Sequence, residues 1–337
     1  MNRHAEPEII PFDSRYLDPA AALLAARHAR DRAGCAWLPE LDHDAAAAAI
    51  TAAFAQPGAA AAALIDGQLA GFLLGDLQID QAWGRSAWMR LPAWAIAPGL
   101  DLRVLGALYG VVGAWWLRQG IFDHYVVVPA ADPTMVLNWV YLGFAIQQVY
   151  ALGELADREP YNPPADLTIR RAGPADRQTL AELSGIIWSH QIRAPIWAMT
   201  LPERLHTLRE GYAEMADDAE AVVWLALRAG EVLGFQAYFP AAPTPGDLLT
   251  PSDCIELSVA GTRPEARGQG VAAALTAHGL AAARLAGARV CLTDWRSANL
   301  AAAYFWPQHG FTPVAYRMVR YVDPRIAWTH AGEGVAG

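Results

Sequence analysis

The sequence predicts a mixed α/β fold made twice over, and three observations carry that expectation. The order of elements read from residue 8 to about 152 starts again near residue 167. Landmark residues recur at a nearly constant spacing. In the second copy an apolar strand runs through a glycine-bearing turn straight into a long helix, an arrangement proper to α/β architectures. At 337 residues, 54% of them hydrophobic, the chain can hold two domains with a core each.

In the first copy, Glu8 to Phe12 reads as a strand, and Asp18-Pro19 reads as an N-cap followed by the first residue of a helix to about Arg32. Asp42 to Phe54 reads as a second helix. Ala61–Ile65 and Leu69–Leu77 read as a hairpin turning at Asp66-Gly67. Then come a strand over Ser86–Ile96, a helix over Leu102–Arg118, a strand over His124–Val128, a helix over Asp132–Leu142 closing at Gly143-Phe144, and a strand to Leu152. Asp157–Ala165 holds Pro160, Pro163 and Pro164 among charges and reads as a linker, so the expected domains are 1–156 and 166–337.

The second copy repeats this order. Leu167–Arg170 reads as a strand, Pro174–His190 and Pro202–Met215 as helices, and Val222–Arg228 with Val232–Phe239 as a hairpin about Ala229-Gly230. Pro240–Ser252 reads as a proline-rich loop. Ala63 aligns with Ala226 (226 − 63 = 163), as do the hairpins around them; Trp139 with Gly143-Phe144 aligns with Trp306 and Gly310-Phe311 (306 − 139 = 167).

The stretch Cys254–Phe311 is where chemistry is expected. Cys254–Ala260 is a strand, and Thr262-Arg263-Pro264-Glu265-Ala266-Arg267-Gly268-Gln269-Gly270-Val271-Ala272 turns into an Ala/Leu-rich helix. A helix N-terminus behind a glycine turn offers free amides and the positive end of a dipole, which suits an anion. Ala288–Thr293 reads as the next strand, and the helix after it ends at Gly310-Phe311.

Arg267-Gly268-Gln269-Gly270-Val271-Ala272 resembles the [RQ]-x-x-G-x-[GA] signature of the GNAT acetyltransferase superfamily, with the strand before it, the helix after it, Asn299, and the Gly-Phe pair in matching places. An ordinary strand–turn–helix would use the same two glycines. The resemblance implies two tandem GNAT-like acyl-CoA N-acyltransferase domains, each an α+β mixed sheet. It implies that Arg267, Gly268, Gln269, Gly270, Val271 and Ala272 hold the pyrophosphate of acetyl-CoA. It also implies that Asn299 contacts the pantetheine arm, although asparagine is a good N-cap on its own account. The backbone of Val259, Ala260, Gly261 and Thr262 would supply amide donors for the developing oxyanion.

At offset 167 the first copy has Met89 for Glu256, Leu100 for Arg267, Arg103 for Gly270 and Leu105 for Ala272. Bulky side chains there would hold a diphosphate off the backbone, so the first copy is expected to be degenerate. Arg103 can still attract an anion in another geometry.

An alkylamine with a pKa of about 10.4 must lose a proton before it attacks a thioester. Glu256, the one carboxylate within the strand that leads to the loop, is the candidate base, and its place 11 residues before Arg267 resembles that of the glutamate in some members. A solvent-facing or ion-paired glutamate would look the same. Members often carry a tyrosine general acid four residues before the Gly of Gly-Phe. Here that position is Trp306, whose indole N–H can donate a hydrogen bond but not a proton. Trp306 is read as a thiolate donor or cleft wall, with core packing the alternative, and Tyr304 as a substitute acid. Asp294, Trp295 and Arg296 sit at the expected cleft mouth, and Trp188, His190, Trp197 and His206 near the helices that roof the acceptor site.

The reaction implied is direct acetyl transfer to an amine of a small molecule. An aminoacyl transferase of the same fold and a non-catalytic acyl-CoA-binding protein are the alternatives. A net charge of −9 argues against nucleic acid and against an anionic membrane surface. The longest uncharged apolar run, Val104–Leu117, is 14 residues and too short for a bilayer of about 30 Å. Three scattered cysteines (Cys35, Cys254, Cys291) suit a reducing cytoplasm. Asp42-His43-Asp44 has no second cluster to complete a metal site, so no metal is expected. A monomer or homodimer is expected.

Overall fold

Two tight turns fix the register of the two halves. Asp66 and Gly67 have φ of 54° and 75°, and Ala229 and Gly230 have φ of 50° and 86°. Positive φ at both central residues gives a hairpin the twist its strands require. The computed structural model describes residues 6–100, 102–156 and 163–332.

The first half runs β1 (Glu8–Pro11), α1 (Leu17–Gly34), α2 (His43–Phe54), β2 (Gly58–Ile65), β3 (Gln68–Asp80) and β4 (Gly84–Met89). It continues through β5 (Trp94–Ile96), α3 (Leu102–Arg118), β6 (Asp123–Pro129), α4 (Pro133–Tyr141) and β7 (Ala145–Glu154). The second half runs β8 (Leu167–Arg171), α5 (Arg177–Gln191), α6 (Leu205–Glu214), β9 (Val222–Arg228) and β10 (Glu231–Ala241). After these come β11 (Cys254–Thr262), α7 (Val271–Leu285), β12 (Val290–Arg296), α8 (Leu300–Gln308), β13 (Phe311–Tyr321) and α9 (Ile326–Gly332).

Several local expectations need correction. Asp18 is not an N-cap: α1 begins at Leu17 behind a 3-10 turn that Asp13 caps by accepting from the amide of Arg15. Ser86–Ile96 is not one strand, because a 3-10 turn over Leu91–Ala93, with Pro92 inside it, separates β4 from β5. Proline removes a ladder donor there and fixes its own φ. Asp42 and Asp132, read as the first residues of their helices, are instead their N-caps, accepting from the amides of Ala45 and Met135.

The chain forms two compact units. The first takes residues up to Gln148, Pro243–Thr250 and the chain from Val314; the second takes Val149–Ala242 and Pro251–Pro313. These are not the contiguous segments 1–156 and 166–337, because the strands that end the two copies are exchanged. Ala315–Tyr321 of β13 pair antiparallel with Pro129–Asp123 of β6, so the first unit is closed by the end of the chain. In the second unit β7 lies beside β12, the Leu155 amide donates to Arg289 O at 2.9 Å, and a Cβ on Gly153 would stand 3.0 Å from the Phe311 ring. Both strands follow a Gly-Phe pair, so nothing in the local sequence says which edge each one joins. Of the expected linker, residues 157–162 lie outside the described residues.

The first unit has the strand order β1-β2-β3-β4-β6-β13, with β5 on β3. One stripe of α3 (Leu105, Leu108, Val112, Trp116) is buried with the sheet residues Ala61, Ala63 and Leu73. Gly75 makes room for this: a Cβ there would lie 2.1 Å from the Trp116 ring. The second unit has the order β7-β12-β11-β10-β9-β8. Leu180 and Leu183 of α5 and Tyr212 of α6 pack with Val223, Leu225, Phe235 and Ala237. Val271, Ala274 and Leu275 of α7 pack with Leu167, Ala226 and Leu233. Cys254 and Cys291 are buried and form no disulfide, as small core residues should be.

Candidate active site

The site of the second unit begins where two parallel strands part. β11 and β12 pair from Cys254↔Val290 to Leu257↔Thr293, and this register goes no further. Opposite β10, Ala237 faces Val259 and Tyr238 faces Leu257, so Ser258 is an extra residue in β11. Such a bulge bends a strand and turns it from its neighbour. Val259, Ala260, Gly261 and Thr262 stay paired to β10 and are half-buried. Their other edge faces the opening between the strands, where the sequence reading placed the oxyanion donors.

Glu256 lies at the closed end of that opening. It is half-buried, and its pKa is raised chiefly by desolvation, with the Asp294 carboxylate adding to the shift and a hydrogen bond to Ser258 opposing it. Desolvation and a like charge both disfavour the anion. A carboxylate poised in this way suits proton abstraction.

The turn into α7 lies at the other end of β11. Gly268 and Gly270 have φ of 74° and 79°, and Gly270 is the N-cap of α7. Only glycine takes such angles without a steric cost. Nothing lies within 4 Å of the place a Cβ on Gly268 would occupy. The first helical hydrogen bond runs from the Ala274 amide to Gly270 O at 2.9 Å, so the amides of Val271 and Ala272 ahead of it have no intrahelical acceptor. Gln269 is held outward, accepting from Arg228 Nη1 at 2.5 Å and donating to Glu265 O at 2.7 Å. Arg267 donates from Nε to Thr262 O at 3.3 Å. These residues make a cradle of amides suited to a diphosphate.

Asn299 caps α8, with its Oδ1 3.4 Å from the Ala302 amide and 3.4 Å from Nε2 of His190 on α5. That last contact ties the roof to the cleft and was not legible from spacing. Trp306 is a core residue, edge-on to Phe311 at 5.4 Å, as Trp139 is to Phe144 at 5.0 Å in the first unit. Its recurrence in both copies has a packing cause. Tyr304 is 71% exposed, and Trp197 is 73% exposed at a φ of 43°. His206 pairs with Glu210 at 3.1 Å, away from the core. His43 is within 3.3 Å of Asp18 and 3.7 Å of Asp44, and no group of three or more possible metal ligands occurs among the described residues.

Strand register corrects one alignment. Asp76 pairs with Trp88 where Phe239 pairs with Glu256, so the counterpart of Glu256 is Trp88, not Met89. Trp88 stacks on Tyr125 at 4.5 Å, which leaves an aromatic stack in the first unit where the second has a carboxylate. Leu73 pairs with Trp94 where Gln236 pairs with Ala260, so Trp94 replaces Ala260. Its indole donates to Val127 O on β6 at 3.1 Å and spans the gap that stays open in the second unit. The first unit thus differs from the second at the parted strands.

Residues 190–311 match the model of the Acetyltransferase (GNAT) family. Among solved structures, the chain is similar to a GCN5-related N-acetyltransferase from Sphaerobacter thermophilus, with 15% identity, 95% of each chain covered and a TM-score of 0.57. It is also similar to the glucosamine N-acetyltransferase region of a fungal multi-domain GH3 β-N-acetylglucosaminidase, with 16% identity and a TM-score of 0.53, over 94% of this chain and 38% of that one. At these identities the likeness is one of fold. No curated protein matches the chain. Among the described residues no helix is long and apolar enough to cross a membrane.

Proposed function

We propose that the second unit transfers an acetyl group from acetyl-CoA to an amine of a small molecule. One observation carries this reading: β11 and β12 part just beyond a half-buried Glu256 of raised pKa, and the parted strand leads into an open glycine turn. The amides around Gly268–Ala272 would hold the diphosphate, and Asn299 the pantetheine arm. When bound, the thioester supplies an activated carbonyl and a thiolate leaving group. Glu256 takes the proton of the attacking ammonium, directly or through a water, and donors on β11 between Val259 and Thr262 hold the charge that gathers on the carbonyl oxygen.

Trp306 is packed away and Tyr304 points outward, so neither serves as a positioned acid in this arrangement. A thiol of pKa about 8.5 leaves as thiolate at pH 7 for roughly 2 kcal/mol, which the reaction can bear. The acidic chain favours a cationic amine over a nucleic-acid-bound donor.

Turnover of acetyl-CoA against a panel of small amines tests the reading. Glu256→Gln should lower kcat/KM by about 10² to 10⁴ and leave coenzyme A affinity unchanged. Tight coenzyme A binding with no amine modified by the wild-type chain would favour a binding protein instead.

A further inference from the structure

The glycine turn of the second unit is anchored from outside itself. Gln269 stands between Gly268 and Gly270, both at positive φ, so the backbone on either side of it is free to take many other shapes. Its side-chain amide is held at both ends. Nε2 donates to Glu265 O at 2.7 Å, within the turn, and Oε1 accepts from Nη1 of Arg228 at 2.5 Å, which reaches across from β9. A charged donor makes the stronger kind of hydrogen bond.

Arg228 is a fixed point. It ends β9 and is paired with Leu167 of β8 on one side and Glu231 of β10 on the other. Its side chain is 29% exposed, and Nε lies 2.6 Å from Asp166 Oδ2. The entry to the turn is tied to the same hairpin: Arg263 donates from Nε to Val232 O at 2.7 Å and from its amide to Leu233 O at 2.8 Å. The β9–β10 hairpin thus grips the turn at its start and again at Gln269.

The first unit shows what stands at this position without such a turn. Ile65 pairs with Gln68 there as Arg228 pairs with Glu231, so Ile65 is the counterpart of Arg228. Ile65 is buried in the core, and the first copy has no Gly-Gln-Gly run for an arginine to hold.

We propose that Arg228 is a positioning residue for coenzyme A: through Gln269 it holds the turn over Gly268–Gly270 in its binding shape before the ligand arrives. The proposal rests on the reading of that turn as the diphosphate site. An untethered turn must be ordered as the ligand binds, and the tether removes that cost beforehand. Because the role runs through Gln269, the two side chains act as one unit.

Calorimetric titration of the full chain with coenzyme A tests it in Arg228→Ala, Gln269→Ala and the double variant. Each single substitution should weaken binding about tenfold, the cost of ordering roughly one residue, and the double variant should bind no more weakly than either. Arg228→Lys, which keeps a charged donor, should recover part of the loss. In the free chain, amide hydrogen exchange over residues 264–271 should quicken in Arg228→Ala, while the melting temperature stays within about 2 °C of wild type, as for a surface pair. Losses that add in the double variant would put Arg228 on the ligand itself and overturn the positioning role. Wild-type affinity in Arg228→Ala, or unchanged exchange in the turn, would overturn it too. Those results presuppose coenzyme A uptake by the wild-type chain; no uptake there would overturn the reading of the turn along with the proposal.

Discussion

Gly268→Ala separates the backbone role of the phosphate turn from its ligand role. Gly268 has a φ of 74°, and an added Cβ would meet no protein atom within 4 Å. The substitution therefore costs the folded chain only the left-handed penalty of about 1 kcal/mol, which lowers the melting temperature by about 2 °C in a chain of this size. Gly67 is a matched control, with a φ of 75°, equally open space, and a place in the first unit's hairpin. Gly67→Ala should show the same loss of stability. Coenzyme A affinity should separate the two variants. If the diphosphate sits on the amides around Gly268, a methyl group in that space weakens binding tenfold or more, about 1.4 kcal/mol, while Gly67→Ala binds as wild type does. Thermal unfolding and calorimetric titration read the two effects independently. Equal coenzyme A affinity in both variants, at equal loss of stability, would refute the assignment of the turn.

Two further outcomes follow from buried polar groups. His124 accepts from Tyr109 OH at 2.8 Å and donates to Ile121 O at 3.1 Å, and burial lowers its pKa from 6.5 to about 4. Between those values the unfolded chain binds the proton and the folded chain does not, so stability falls as pH drops from about 6.5 to 4, by about 3 kcal/mol in all. Chemical denaturation across that range should show the loss in wild type and a shallower slope in His124→Phe. Asp176 takes a bidentate Arg170 at 2.7 and 2.8 Å and the Gly173 amide at 2.9 Å, and its pKa is lowered chiefly by the Arg170 hydrogen bonds. Asp176→Ala should cost about 2 kcal/mol in denaturant unfolding, with wild type losing this contribution as pH falls below the carboxylate range.

The two units share one fold and differ in the residues at the parted strands. Both keep the paired hairpins, the aromatic residue packed edge-on before the last strand, and strands that part at the same level. In the first unit the carboxylate position carries Trp88, and Trp94 bonds across the gap to Val127. Sequence offset alone put Met89 opposite Glu256, because the turn over Leu91–Ala93 shifts the register locally.

The amino-acid sequence alone determined what depends on near neighbours: the doubled order of elements, the Asp-Gly and Ala-Gly hairpins, the helix starts near Asp42 and Asp132, the cap at Asn299, and the glycine turn before α7. Each is set by backbone angles or by hydrogen bonds within a few residues, so each leaves a local trace. Tertiary structure alone decided the exchange of the closing strands, the parting of β11 from β12 at Ser258, and the contact of His190 with Asn299. These are pairings between residues far apart in the chain, chosen by which edge or face is free once the sheet has formed, and a single strand or helix carries no record of that choice.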